Sequence, residues 1–388
     1  MSINTAANTS NDSKEKVLYF SGLNGLRAIA ALSVVFSHAS SDFILFGLDP
    51  IYFSKYADGS PKLFNMAAYG VTIFFTLSGF LITYLLLEEN KKQPINIRNF
   101  YIRRILRIWP LYYTYLIIAI ITMLITGYNV EGKAVLFYVF LMANVPFFLG
   151  IGDGLKLIGH YGSLGVEEQF YSFWPWVVKK AKSVLTTTLI ICCSFMLLKT
   201  LIRIYDIYQN GGNMSIAYIV FNTNRFDCML IGAIGAILLF QENVFFLKVT
   251  NNKIAQFLSW FVIFLVIINQ FHFISFLDNE FISIVTVFII LGQIKQSNRL
   301  INLEAPILNF LGKISYGIYV IHPLIIFYLS RFMQFSDKSN MVSHLIVYCC
   351  VFLTTIAVAY LSYEYWEKPF LVMKDKFTVV KSSATKNH

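Results

Sequence analysis

Charge is what this 388-residue sequence has least of. Only 13% of its residues are Asp, Glu, Lys or Arg, about half the share of a soluble globular chain, whereas 57% are hydrophobic and 17% aromatic. A soluble fold is excluded, because too little polar surface remains to cover so apolar an interior. Cysteine is scarce as well. The five cysteines (Cys192, Cys193, Cys228, Cys349, Cys350) lie in apolar stretches without paired ligand spacing, which argues against a disulfide framework or a metal site and for core positions. No internal repeat recurs. The segment before Ser21 has no apolar run immediately after its basic residues, so the first apolar run reads as a retained anchor rather than a cleaved signal. The net charge of +10 is scattered through short loops, a pattern of membrane orientation rather than of nucleic-acid binding.

What is present is a succession of apolar runs, each near the roughly 20 residues that cross hydrocarbon as a helix. They predict an all-α integral membrane protein, a polytopic bundle of about ten transmembrane helices, at about 26–46, 69–87, 109–127, 163–178, 184–204, 225–241, 254–272, 279–294, 311–331 and 343–363. The run 134–150 is also apolar enough to span. Counting ten spans leaves 21 of the 31 Lys and Arg inside and 8 outside; adding this run gives 13 inside and 16 outside. The positive-inside rule therefore makes 134–150 a re-entrant or interfacial segment on the outer face. Both termini are expected in the cytoplasm: a disordered tail, 1–22, and a basic tail, 371–388, on either side of a membrane domain, 23–370.

Ionisable groups inside spans are costly and mark function or a partner. Arg27 and His38 share the first span. Eleven residues make almost three turns, so they lie on one face about 16 Å apart. The second span contains Leu77-Ser78-Gly79-Phe80, small residues that suit close helix packing. After it come Arg98, Arg103, Arg104 and Arg107, which fit either a positive-inside anchor or a site that grips phosphates bidentately. The fourth span opens on Glu167 and Glu168, adjacent carboxylates that face about 100° apart. The sixth opens on Arg225 and Asp227, close enough for a local ion pair. The ninth carries His322 at about the depth of His38, so two histidines and a carboxylate converge in one half of the bundle. A proton-coupled transporter or flippase also uses buried His, Glu and Arg. The missing repeat and the arginine cluster argue against that reading.

In this order the motifs resemble the acyltransferase 3 family of membrane O-acyltransferases, which decorate bacterial surface glycans and some secondary metabolites. The likeness runs from Leu23 to about Phe370. It takes in Leu23-Asn24-Gly25-Leu26-Arg27 with His38, Phe74-Phe75 before Leu77-Ser78-Gly79-Phe80, Arg104 and Arg107 before Ile108-Trp109-Pro110, and Val166-Glu167-Glu168-Gln169-Phe170-Tyr171. Arg225-Phe226-Asp227, Leu311-Gly312-Lys313-Ile314-Ser315-Tyr316 with His322, and Ser362-Tyr363 with Glu367 and Pro369 complete it. Asn24 and Thr72 stand where the family commonly has Asp, and Ala28 where it often has Gly. With no hydrolase-like domain after the last span, the chain is similar to the standalone members.

The resemblance implies a multi-pass protein of the bacterial inner membrane that moves an acyl group, acetyl above all, from cytoplasmic acyl-CoA to a hydroxyl of an exported or lipid-linked glycan. Acetyl-CoA would be a donor substrate; no permanently bound cofactor, metal or nucleic-acid partner is implied. On this reading Arg103, Arg104 and Arg107 hold the CoA phosphates and Arg27 guides the donor inward. His38 is the general base, Glu167 orients its imidazole, His322 positions the acceptor or stabilises the oxyanion, and Glu168, Arg225, Asp227 and Tyr316 contact the acceptor.

Overall fold

The computed structural model describes residues 18–50, 54–55, 61–62, 66–152 and 155–380. The expected N-terminal tail up to residue 17 and the last eight residues of the C-terminal tail lie outside them. The described chain is almost entirely helical. In order come α1 (Leu23–Ser41), α2 (Met66–Lys92), α3 (Ile97–Ile125), α4 (Gly132–Val139), α5 (Val145–Leu149), α6 (Tyr161–Lys180), α7 (Val184–Gln209) and α8 (Ile216–Asn224). There follow α9 (Phe226–Phe240), α10 (Val244–Thr250), α11 (Lys253–Ile267), α12 (Asp278–Lys295), α13 (Pro306–Lys313), α14 (Ser315–Phe332), α15 (Met341–Ser362) and α16 (Lys368–Asp375). Between α1 and α2, Ser54–Lys55 pairs antiparallel with Pro61–Lys62, Ser54 opposite Lys62.

Six helical stretches among the described residues are long and apolar enough to cross a membrane, and eight if two bent pairs, α10 with α11 and α13 with α14, each count as one span. The expected spans on α6 and α12 fall short of that measure: α6 is rich in polar and aromatic residues besides Glu167 and Glu168, and α12 carries Asp278, Glu280 and Lys295. The run 134–150 is broken into α4 and α5, of 8 and 5 residues. Eight residues rise only about 12 Å, too little to cross.

Polarity is distributed as lipid demands. Large apolar side chains such as Leu197 on α7, Phe261 on α11 and Leu353 on α15 are exposed, while Lys199, Asp227, Gln256 and Glu280 are buried. Lys199 of α7 sits between Asp227 of α9, at 3.7 Å, and Glu280 of α12, with which it forms a tight ion pair. These three residues tie three helices together. At the centre α2 lies against α9 almost backbone to backbone, because a Cβ on Gly79 would land on the carbonyl of Met229 and one on Gly232 on that of Thr76. Such small-residue contacts are how helices associate without a hydrophobic drive. Gly232→Leu is expected to force α2 and α9 apart, costing about 2 kcal/mol or more and lowering the thermal unfolding midpoint of the detergent-solubilised protein. An unchanged midpoint would contradict the close contact.

The C-terminal segment is more than a tail. A π-helical turn, Tyr363–Glu367, leads from α15 into α16, and beyond it the carbonyl of Phe377 accepts a hydrogen bond from Arg103.

Candidate active site

Two cavities enter the bundle. The first, about 200 Å³ in volume, is lined by Arg27, Arg103, Arg104 and Arg107, by Ser78, Glu167 and Tyr316, and by the C-terminal residues Lys374 and Thr378–Val380. The second, about 510 Å³, is of the size of a small-molecule site and contains His38, Asn144, His160 and Arg225. Val71, Phe75, Ser163 and Tyr319 line both. The cavities are therefore adjacent and share a wall, one reaching Arg27 and the other His38 of α1.

His38, which lines the second cavity, meets His322, with His38 Nδ1 and His322 Nε2 2.8 Å apart. Their hydrogen bonds define the tautomers of the neutral pair. His322 Nδ1 lies 2.8 Å from the carbonyl oxygen of Tyr319, one turn back on α14. A carbonyl only accepts, so His322 Nδ1 carries the proton and Nε2 is left as an acceptor. His38 Nδ1 must then donate to it, and His38 Nε2 keeps a free lone pair. His322 is wholly buried, whereas His38 is partly exposed to the second cavity.

A third histidine joins them. His160, just before α6, has its ring centroid 5.4 Å from that of His322; its Nε2 donates to the carbonyl of Val320 at 3.1 Å, and its Nδ1 is buried without a partner. Ser163 and Tyr319 share a 2.6 Å hydrogen bond beside it. His160 opens the motif that leads into the fourth expected span, but it lies just before that span and so drew no role from sequence.

Glu167 does not touch His38 by any of its hydrogen bonds. It accepts from the hydroxyls of Ser78, at 2.9 Å, and Tyr171, at 3.1 Å, and faces the arginine cavity. Glu168 lines neither cavity, and one of its oxygens is buried without a partner. Tyr316 lines the arginine cavity but donates its hydroxyl proton to the Ile108 carbonyl at 2.8 Å, tying α14 to α3.

Among the arginines, Arg103 is committed to Glu89 at 2.8 Å and to the Phe377 carbonyl at 2.9 Å. Arg104 lies over the ring of Tyr171 with its Nε buried and unpartnered. Arg27 donates to the side-chain oxygen of Asn24 at 3.0 Å. Arg225 and Asp227, neighbours in sequence, diverge at a helix break where Arg225 adopts φ 46°. Arg225 donates to the Ala68 carbonyl and to Thr72; Asp227 faces Lys199 away from both cavities. The two family positions occupied here by Asn24 and Thr72 thus each contact an arginine, and each offers it a neutral oxygen. No cluster of three or more His, Cys, Asp or Glu suited to a metal ion occurs among the described residues.

Comparison with known proteins agrees with this picture. The chain is 28% identical over 381 residues to "O-acetyltransferase OatA" of Staphylococcus aureus, covering 90% of this chain and 57% of that protein. It is 29% identical over 387 residues to "Putative peptidoglycan O-acetyltransferase YrhL" of Bacillus subtilis, covering 90% and 55%. It therefore spans little more than half the length of these relatives. No solved structure matches it. A family model described as an acyltransferase domain matches residues 20–364, a stretch that contains all three histidines and the arginine cluster, and the chain belongs to that acyltransferase 3 family.

Proposed function

We propose that the protein is a membrane O-acyltransferase that moves an acetyl group from acetyl-CoA in the arginine cavity to a hydroxyl of a glycan in the second cavity. The observation that carries this reading is the hydrogen-bond relay from His38 through His322 to the Tyr319 carbonyl, which leaves a free imidazole nitrogen in the second cavity, whose wall is shared with the arginine cavity. The names of the relatives, O-acetyltransferase and peptidoglycan O-acetyltransferase, support the reaction and the class of acceptor.

The chemistry is a single displacement at a thioester. As the acceptor oxygen attacks the carbonyl carbon, His38 Nε2 takes the hydroxyl proton. The imidazolium so formed keeps its Nδ1 proton hydrogen-bonded to His322 Nε2, the orienting part that a carboxylate plays in a serine-hydrolase triad. Collapse of the tetrahedral intermediate breaks the carbon–sulfur bond, and the CoA thiolate regains the proton from His38. The relay gives His322 the orienting role expected of Glu167. With its two hydroxyl donors, Glu167 balances the charge of the arginine cavity instead. On this reading both termini are in the cytoplasm and the arginine cavity opens to the cytoplasmic side, where acetyl-CoA is made; the positive-inside distribution of charge in the sequence supports that orientation.

The arginines divide the donor's phosphates between them unequally. Arg103 already spends its fork on Glu89 and Phe377, so Arg104 and Arg107 have more donors to offer. Arg104→Ala with Arg107→Ala is expected to raise the KM for acetyl-CoA by about 100-fold, the loss of two charge-assisted contacts. Arg103→Ala should raise it less. An unchanged KM in the double variant removes the donor-site assignment. Incubation of the purified protein with labelled acetyl-CoA and a glycan tests the reaction itself: label moved covalently to the glycan supports it, and glycan translocated without label favours a carrier.

A further inference from the structure

We propose that the second cavity selects acceptors that carry an anionic group, and that Arg225 is the residue that recognises it. The proposal rests on the reading that this cavity holds the acceptor.

Arg225 sits at the break between α8 and α9 and lines the second cavity. Its Nη1 donates to the Ala68 carbonyl at 2.8 Å and to the Thr72 hydroxyl at 3.1 Å. Both partners are neutral. Its Nε is buried and has no hydrogen-bond partner, and among the described residues no carboxylate lies within 4.0 Å of it. A cation in a bundle interior without a counter-ion is expensive, and a guanidinium with donors to spare has the fork that fits a carboxylate or a phosphate.

The rest of the lining points the same way. Among the described residues its charged members are Lys156 and Arg225, and no described Asp or Glu lines it. Asp42 has its carboxyl in the field of Lys156, whereas Arg225 forms no ion pair among the described residues. His38 opens onto the same cavity, so an acceptor held by its anion at Arg225 has its hydroxyls on the side of the free Nε2. Thr72 is the key to the arrangement: a carboxylate at that position would stand within ion-pair distance of Arg225 and satisfy it internally.

Two pairs of sugars that differ by charge test this in lipid nanodiscs with acetyl-CoA: N-acetylmuramic acid against its methyl ester, and N-acetylglucosamine 1-phosphate against N-acetylglucosamine. Two readouts are taken, the KM for acetyl transfer and the thermal stabilisation of the protein by each sugar without donor. In at least one pair the charged member should show a KM lower by about tenfold and the larger stabilisation, and the pair that does so identifies the anion as carboxylate or phosphate. Thr72→Asp, which neutralises Arg225 in place, and Arg225→Gln should each erase the difference between the members. Equal KM and equal stabilisation in both pairs overturn the inference while transfer itself leaves the acyltransferase reading standing. A preference that survives Thr72→Asp and Arg225→Gln also overturns it. Stabilisation by a charged sugar that Thr72→Asp abolishes, with no transfer to any of the four, supports the anion site and overturns the reading of the cavity as an acyl-acceptor site. Neither stabilisation nor transfer with any sugar overturns both.

Discussion

His38→Ala should lower kcat for acetyl transfer by about 10²- to 10⁴-fold, the usual worth of a positioned general base, with little change in the KM for acetyl-CoA. The donor's phosphates are assigned to Arg104 and Arg107 of α3, which line the first cavity, whereas His38 lines the second, so the loss is confined to proton transfer. His322 offers a finer discrimination. His322→Leu removes the acceptor that holds His38 in its Nδ1–H tautomer and lets the ring turn its proton toward the substrate; its activity should fall between those of wild type and His38→Ala. In His322→Gln the amide oxygen can accept from His38 and the amide nitrogen can donate to Tyr319, so this variant should retain more activity than His322→Leu. Full activity in folded His38→Ala excludes the base; equal activity of the two His322 variants excludes the relay. Steady-state kinetics on protein whose monodispersity and unfolding midpoint match the wild type decide both.

Lys199→Met should be the most destabilising single change in the molecule, by about 3–5 kcal/mol, because it leaves Asp227 and Glu280 buried together without their cation. Each already has one oxygen buried without a hydrogen-bond partner, and the Cys228 amide that donates to Asp227 Oδ1 does not replace the lost cation. The helices concerned, α7, α9 and α12, pack beside the cavities rather than inside them, and the expected signature is loss of folded protein rather than of specific activity. Replacing all three residues by apolar side chains of similar volume should restore much of the stability, since the pair attraction and its desolvation cost are removed together. A Lys199→Met protein that unfolds with the wild-type midpoint would show that the triad does not hold these helices.

Both predictions depend on contacts that the sequence revealed unevenly. The depth of His38 on its span and of His322 on another was legible from helical rise alone, and the two rings do meet. Helix number was harder to read, because hydropathy counts a carboxylate as a penalty whether or not another helix supplies its partner. Glu167 is satisfied by Ser78 and Tyr171, and Glu280 by Lys199, so α6 and α12 are more polar than the interior they occupy requires. Side-chain direction was illegible at the α8–α9 break, where the left-handed backbone of Arg225 sends it and Asp227 to different parts of the protein. His160 illustrates a third limit: a residue in a connection has no depth to calculate, and only its hydrogen bonds to Val320 and Tyr319 of α14 bring it to the other histidines. The departures at Asn24 and Thr72 were visible as letters, but that each faces an arginine is a fact of the fold.

The thin wall shared by the two cavities has a consequence for the cell's ion gradients. If donor and acceptor approach from opposite sides of the bilayer, the path that admits a pantetheine arm to His38 is also a path for water and protons. Val71 and Phe75 contribute the apolar part of that wall, and Ser163 and Tyr319 engage each other's hydroxyls rather than offering them to passing water. On the proposed reading the protein is in this sense a channel kept shut by a few side chains, which transfer would have to open for a thioester without letting the membrane potential leak away.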